Sequence, residues 1–92
     1  MSGGLAFFRD RKGREVDLLV EDGNTLTAVE TKSAQTVNED FFAALAAFAE
    51  LVKGGRRPPS LRRVLVYGGV TRQQRSSVTV LPWSAIDRYD WL

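Results

Sequence analysis

Three residues of this sequence have types and spacing that could support phosphoryl chemistry: Asp17, Glu30 and Lys32. Asp17 lies in a segment that alternates apolar and charged residues, whereas Glu30 and Lys32 lie two positions apart in a segment rich in β-branched residues. Both patterns predict strands. Two carboxylates can bind a divalent cation, and a neighbouring ammonium can offset the negative charge that builds up on a phosphate.

The turn between the two strands determines whether these side chains meet. An Asp-Gly-Asn turn begins at Asp22 and predicts a hairpin. With a two-residue loop after Asp22, facing residues have numbers that sum to 47, so Asp17 faces Glu30 and Glu15 faces Lys32. A loop shifted by one position leaves the face unchanged, whereas an odd-length loop or a β-bulge would separate the side chains.

Carboxylates that face each other across two strands destabilise a sheet unless a cation compensates them. The sequence therefore predicts a Mg²⁺ or Mn²⁺ site with ligands from Asp17, Glu30 and the Thr31 carbonyl. A bound water would serve as the nucleophile, and Lys32 would orient it or offset the transition-state charge. The alternative interpretation is a solvated strand face, on which Glu15 and Lys32 form a surface ion pair of about 0–1 kcal/mol.

Composition narrows the chemistry further. The 92 residues include no histidine and no cysteine, which excludes histidine bases, thiol nucleophiles and zinc-thiolate sites. Any metal must therefore be held by oxygen ligands. The net charge is only +2, but arginines cluster and predict a phosphate-binding patch, with a solvated loop as the alternative. The predicted nucleic-acid contacts are Arg56, Arg57, Arg62 and Arg63.

The remaining segments complete an α/β domain. The first third predicts a β-meander, and apolar residues between 41 and 52 follow one stripe of a helix, capped by Thr36 in a capping box or by Asn38. Strands are predicted at 64–67 and 77–81, and a short helix follows from Pro82 to Asp87. These elements predict a mixed sheet of about five strands, with parallel pairing across the helical crossover. The alanine-rich helix predicts cover on more than one side and a possible homo-oligomer.

The order of these segments resembles the PD-(D/E)xK, or restriction-endonuclease-like, superfamily. More closely, nearly the whole chain resembles the uncharacterised C-terminal domain that follows the ATPase module in bacterial and archaeal AAA-type ATPases. The resemblance implies a restriction-endonuclease-like core in which Asp17, Glu30 and Lys32 match the catalytic motif, although Val16 stands where a proline is usual. The stretches that carry it are 8–33, with 13–20 and 29–33 inside it, then 64–69 and 78–83.

Residues 1–4 are interpreted as a flexible lead-in or cloning remnant, and residues 5–92 as one domain from a longer ATPase. The chain has no phosphate-loop motif and is not expected to bind ATP. Its expected location is the cytoplasm, without a membrane partner. Three functions are open: a Mg²⁺-dependent nuclease acting on DNA or RNA, a non-catalytic module that contacts nucleic acid or protein beside its ATPase, and a dimerising module.

Overall fold

A computed structural model of the chain describes residues 3–9, 15–75 and 77–89, with side chains for 16–75 and 77–89. Six strands, one α-helix and two short 3-10 helices occur in this part of the chain. In chain order they are β1 (Gly3–Arg9), β2 (Glu15–Asp22), β3 (Thr25–Thr31), a 3-10 helix (Glu39–Phe42), α1 (Ala43–Lys53), β4 (Ser60–Tyr67), β5 (Gln73–Arg75), β6 (Val78–Pro82) and a second 3-10 helix (Trp83–Arg88).

The strands form one mixed sheet in the order β1-β2-β3-β4-β6-β5. The pairs β3–β4 and β4–β6 are parallel, and the other three pairs are antiparallel. The predicted parallel pairing of the strands that flank the helix is therefore confirmed. The sheet has one strand more than predicted, because β5 is only three polar residues long and carries no alternation that a sequence pattern could detect. Strand β1 begins at Gly3, inside the stretch interpreted as a lead-in.

The β2–β3 hairpin has the predicted register. Asp22 pairs with Thr25 and Leu18 pairs with Val29, so every recorded pair has numbers that sum to 47. Gly23, the first loop residue, has a φ of 60°, which glycine adopts without strain. A positive φ at this position only is typical of a type II′ turn, whose twist matches that of the strands it joins.

A β-bulge interrupts β2 beside the predicted site. Ala6 of β1 pairs with Leu19 and Phe8 pairs with Val16, so two residues of β2, Asp17 and Leu18, lie opposite a single residue of β1. The bulge changes the alternation of side chains along β2. As a result, Val16 and Leu19 both pack into the same core cluster although they are three positions apart.

The main core lies between the sheet and α1. Phe42, Leu45 and Phe48 of the helical segment are buried against Ala28 and Leu65, in one cluster with Val16, Ala44, Tyr67, Val78 and Val80. The helix ends at Lys53, one residue beyond the predicted apolar stripe, with Gly54 as its C-cap. Asn38 caps the 3-10 helix that precedes α1, and its side chain accepts a hydrogen bond from the Asp40 N–H at 2.9 Å; the Thr36 capping box was wrong.

The cover of α1 is one-sided within the described residues. Ala43 and Ala46 are exposed, and Leu51 retains 58% of its surface. The sheet therefore covers α1 on one side, and cover of the other side by a partner stays a prediction. The opposite sheet face carries a smaller cluster of Val29, Val64, Val66 and Leu81 under Ala85, Ile86 and Tyr89.

At the C-terminal end, Tyr89 packs against the smaller cluster, whereas Trp83 is 51% exposed and does not. Trp91 and Leu92 lie outside the described residues. In the described part of the chain, no helix has the length and apolar character needed to cross a membrane.

Candidate functional site

A single backbone N–H connects the two predicted carboxyl ligands. The Thr31 N–H donates to Asp17 Oδ2 at 2.8 Å and to Glu30 Oε1 at 3.3 Å. The Thr31 hydroxyl donates to the same Asp17 oxygen at 2.7 Å. Because one donor reaches both acids, the carboxyl groups of Asp17 and Glu30 lie side by side, as the hairpin register predicted.

The direction of the strand explains why this N–H reaches a side chain. Lys32 N–H donates to the Val66 carbonyl of β4 at 2.8 Å. Successive backbone groups of a strand point to opposite neighbours, so the Thr31 N–H points towards β2. The recorded β2–β3 pairs end at Leu18, where the bulge begins. Beyond Leu18 the Thr31 N–H has no backbone carbonyl of β2 as its acceptor. The Asp17 carboxylate takes the place of that carbonyl and accepts the hydrogen bond.

Burial and mutual contact separate the pKa values of the two acids. Glu30 is only 5% exposed, and its burial, a hydrogen bond with Asp17 and the Asp17 charge together raise its pKa to about 8. For Asp17, burial acts to raise the pKa, but hydrogen bonds from Glu30 and Thr31 and the charge of Lys32 lower it below the ordinary value. Near neutral pH the pair therefore holds one proton, carried mainly by Glu30 and shared with Asp17.

Lys32 completes the group of charges. It is half-buried at the end of β3, and its charge acts on both acids. Its Nζ lies 5.5 Å from the centre of the Phe41 ring, within the range of a cation–π contact. Phe41 belongs to the 3-10 helix that precedes α1. The helical segment therefore holds the ammonium near the carboxyl pair.

The donors fit a hard divalent cation. Carboxyl oxygens are available from Asp17 and Glu30, and the Thr31 carbonyl points to the same side of β3 as its N–H. Mg²⁺ is usually held by one or two carboxylates and several waters. Among the described side chains no cluster of three or more metal-binding acids, histidines or cysteines occurs. The side chain of Glu15, the third acid predicted on this face, lies outside the described residues.

The four predicted phosphate-binding arginines do not form one patch. Arg56 and Arg57 are exposed in the loop before β4. Arg62 and Arg63 are consecutive in β4, so their side chains leave opposite faces of the sheet. Arg62 lies 5.1 Å from the Tyr89 ring on the face of the smaller cluster, and Arg63 lines a cleft beneath α1.

The arginine loop is also remote from the carboxyl pair. Ser60, the first residue of β4, pairs with Thr25, whereas Glu30 pairs with Leu65 at the other end of the same ladder. Five residues of strand separate these positions, which corresponds to roughly 17 Å. The arginine loop and the acid pair therefore lie at opposite ends of the β3–β4 ladder.

Sequence reasoning missed two features of the site. The hydroxyl and N–H of Thr31 both bind Asp17, although only its carbonyl had been assigned a role. A hydroxyl between two charged residues at a strand end was the available signal. Phe41 was assigned to the core stripe, and no local pattern indicated that its ring lies against Lys32.

The fold and site define a small mixed α/β domain with an acid pair where a hairpin bulge meets the end of a parallel strand. The chain belongs to the family described as Domain of unknown function (DUF4143), whose model matches residues 2–86. Comparison with curated proteins and with solved structures found no match to this chain. The match supports the resemblance to the uncharacterised ATPase-associated domain, and the likeness to PD-(D/E)xK nucleases stays a prediction.

Proposed function

We propose that this domain is a Mg²⁺- or Mn²⁺-dependent phosphodiesterase with a restriction-endonuclease-like site that acts on DNA or RNA. The observation that carries the proposal is the Thr31 N–H shared by Asp17 at 2.8 Å and the buried Glu30 at 3.3 Å, with the charge of Lys32 acting on both acids. Burial raises the pKa of Glu30 to about 8, so the free energy of unfolding decreases as the pH rises above the ordinary pKa of a glutamate. Acids with strongly shifted pKa values are typical of functional sites.

Each side chain has a distinct task in this proposal. Asp17 and Glu30 supply anionic oxygens, with the Thr31 carbonyl beside them, and Thr31 orients Asp17 through two hydrogen bonds. A bound divalent cation would supply an acidified water and polarise a phosphoryl oxygen. Glu30 must release its proton before it can act as a ligand, so cation binding and deprotonation are coupled.

Lys32 is positioned for the phosphate. In hydrolysis a water oxygen bonds to phosphorus, the bond to the leaving oxygen breaks, and the leaving oxygen gains a proton. Negative charge increases on the phosphoryl oxygens and the leaving group as this happens. Phe41 restricts the Lys32 ammonium to the side of the acid pair, where it offsets that charge.

A cleavage assay tests the proposal. End-labelled DNA and RNA, single- and double-stranded, are incubated with the chain and Mg²⁺ or Mn²⁺ at about pH 8, where Glu30 is half deprotonated. We expect metal-dependent cleavage that Asp17→Asn, Glu30→Gln and Lys32→Ala each reduce by at least about a hundredfold. Glu50→Gln, which changes an exposed acid on α1, is the matched control.

Cleavage that persists in all three variants would come from a contaminant and would contradict the proposal. If the chain neither cleaves the nucleic acids nor binds the metal, Asp17 and Glu30 do not form the proposed site.

The second candidate is a non-catalytic interaction module beside an ATPase module. The specific observation that favours it is the apolar stripe of α1 that the sheet does not cover, from Ala43 through Ala47 to Leu51. These residues are four positions apart and therefore share one helix face. A dimer through this stripe would be seen as a concentration-dependent mass, and Leu51→Glu would abolish it.

A further inference from the structure

A cleft lies under the C-terminal end of α1, at the opposite end of the domain from the acid pair. It has a volume of ≈ 240 Å³ and lies between the helix end, the following loop and the first half of β4. Two cations, Lys53 and Arg63, line the cleft together with five apolar residues. The apolar residues are Ala49, Val52, Pro58, Pro59 and Leu61.

The cations around this cleft are not neutralised within the described residues. Arg63 has no acidic partner there, and neither do Arg56 and Arg57 in the adjoining loop. Lys53 makes only a solvent-exposed contact of 3.5 Å with Glu50, a type of pair that contributes little. The cleft therefore combines a positive rim with an apolar floor.

The walls discriminate between classes of ligand. None of the described residues that line the cleft is aromatic, so they offer no stacking surface of the kind on which proteins usually hold unpaired bases. Its aliphatic and proline walls suit an aliphatic side chain, and its cations suit carboxylates on either side. We infer that this cleft binds an acidic peptide segment of a partner protein through one aliphatic anchor residue.

The inference goes beyond the proposed phosphodiesterase, because it concerns different residues and needs no metal. Arg56 and Arg57, in the loop before β4, are too far from the acid pair to act on a phosphate bound there. In this inference they bind the acidic peptide instead. The partner segment would bind through the anchor in the cleft and through acidic residues that reach Arg63, Lys53 and the loop.

Fluorescence anisotropy with a short labelled peptide, one leucine flanked by glutamates, tests the inference on the 92-residue chain. We expect saturable binding that weakens at least about tenfold when serine replaces the leucine, and again when Lys53 and Arg63 are both changed to Gln. Ala49→Leu should fill the cleft and weaken binding without changing any charge. Ala46→Leu, at an exposed position of the same helix that does not line the cleft, should leave binding unchanged.

The same measurement can overturn the inference in two ways. If a labelled oligothymidylate of equal charge binds as well as the peptide and Ala49→Leu has no effect, the surface is a non-specific polyanion site. If the peptide does not bind at concentrations up to about 1 mM, the cleft has no such ligand. A dissociation constant of about 1 mM corresponds to a binding free energy of only about 4 kcal/mol. Arg56→Gln with Arg57→Gln, both in an exposed loop, provides a charge variant that does not disturb the core.

Discussion

The carboxyl groups of Asp17 and Glu30 lie side by side across the β2–β3 hairpin, and both accept from the N–H of Thr31. Two acids in this position cannot both be charged without repulsion, so they share a proton at neutral pH. This contact leads to expected outcomes that can be measured with or without any catalytic activity.

Stability should fall as pH rises from about 4.5 to about 8. The pKa of Glu30 is raised to about 8 in the folded chain, so in this interval the folded state binds a proton that the unfolded state has lost. The free energy of unfolding should decrease by up to about 1.4 kcal/mol per pH unit from this group. Urea unfolding in metal-free buffer measures the slope, and Glu30→Gln should remove most of it.

Below this interval Asp17 acts in the opposite direction. Its lowered pKa contributes stability that is present above the ordinary value of 3.8 and is lost as pH falls through the folded pKa. A stability profile that rises from about pH 5 to about pH 8 would contradict the shared proton.

Mg²⁺ or Mn²⁺ should raise the melting temperature. A ligand that binds only the folded state stabilises it by about 2.7 kcal/mol at a hundred times its dissociation constant. The increase should be larger at about pH 8 than at about pH 6, because a proton on Glu30 competes with the cation. Asp17→Asn and Glu30→Gln should abolish it, and Glu50→Gln should not. If the melting temperature rises equally in the unchanged chain and in all three variants, the cation binds at another site.

Thr31→Val should weaken the support of Asp17 while preserving strand shape. The variant removes the hydroxyl donor at 2.7 Å but leaves the N–H donor at 2.8 Å. We expect a loss of about 1 kcal/mol of stability and a higher pKa of Asp17, which NMR titration of its carboxyl carbon would detect. Thr36→Val is the control, because the Thr36 side chain is exposed and makes no hydrogen bond with the described residues. An unchanged pKa of Asp17 would show that the hydroxyl is dispensable.

Asn38→Ala should destabilise the helical segment by about 1 kcal/mol. The Asn38 side chain accepts from the Asp40 N–H at 2.9 Å, and alanine cannot replace that acceptor. Thermal unfolding followed by circular dichroism measures the loss. Thr36→Ala tests the alternative cap and should have little effect; a larger loss from Thr36→Ala would reverse the assignment.

Gly68→Ala should disturb the segment that follows Lys32. A Cβ at Gly68 would lie 2.5 Å from the Ser33 carbonyl oxygen, so the backbone would have to move. We expect a loss of about 1–3 kcal/mol and weaker cation binding. At Gly54 the nearest atoms to an added Cβ lie 3.7 Å away, so Gly54→Ala should be tolerated. Equal stability of the two variants would contradict this close approach.

Several local features were predictable from the sequence because they depend on neighbouring residues. The turn after Asp22 and the period-2 alternation fixed the hairpin register, and the register brought Asp17 to Glu30. The apolar stripe between 41 and 52 correctly placed the helical segment. Absence of histidine and cysteine restricted any metal site to oxygen ligands.

The tertiary structure decided what distant segments do to these local patterns. The bulge at Asp17 and Leu18 exists only because β1 pairs with β2, and it frees the Thr31 N–H that joins the two acids. Parallel pairing of β3 with β4 places the loop of Arg56 and Arg57 at the opposite end of the ladder from Glu30. Burial of Glu30, which raises its pKa, depends on packing between segments distant in sequence. Sequence periodicity reports which side of its own strand a residue faces, whereas pairing and packing decide which residues meet there.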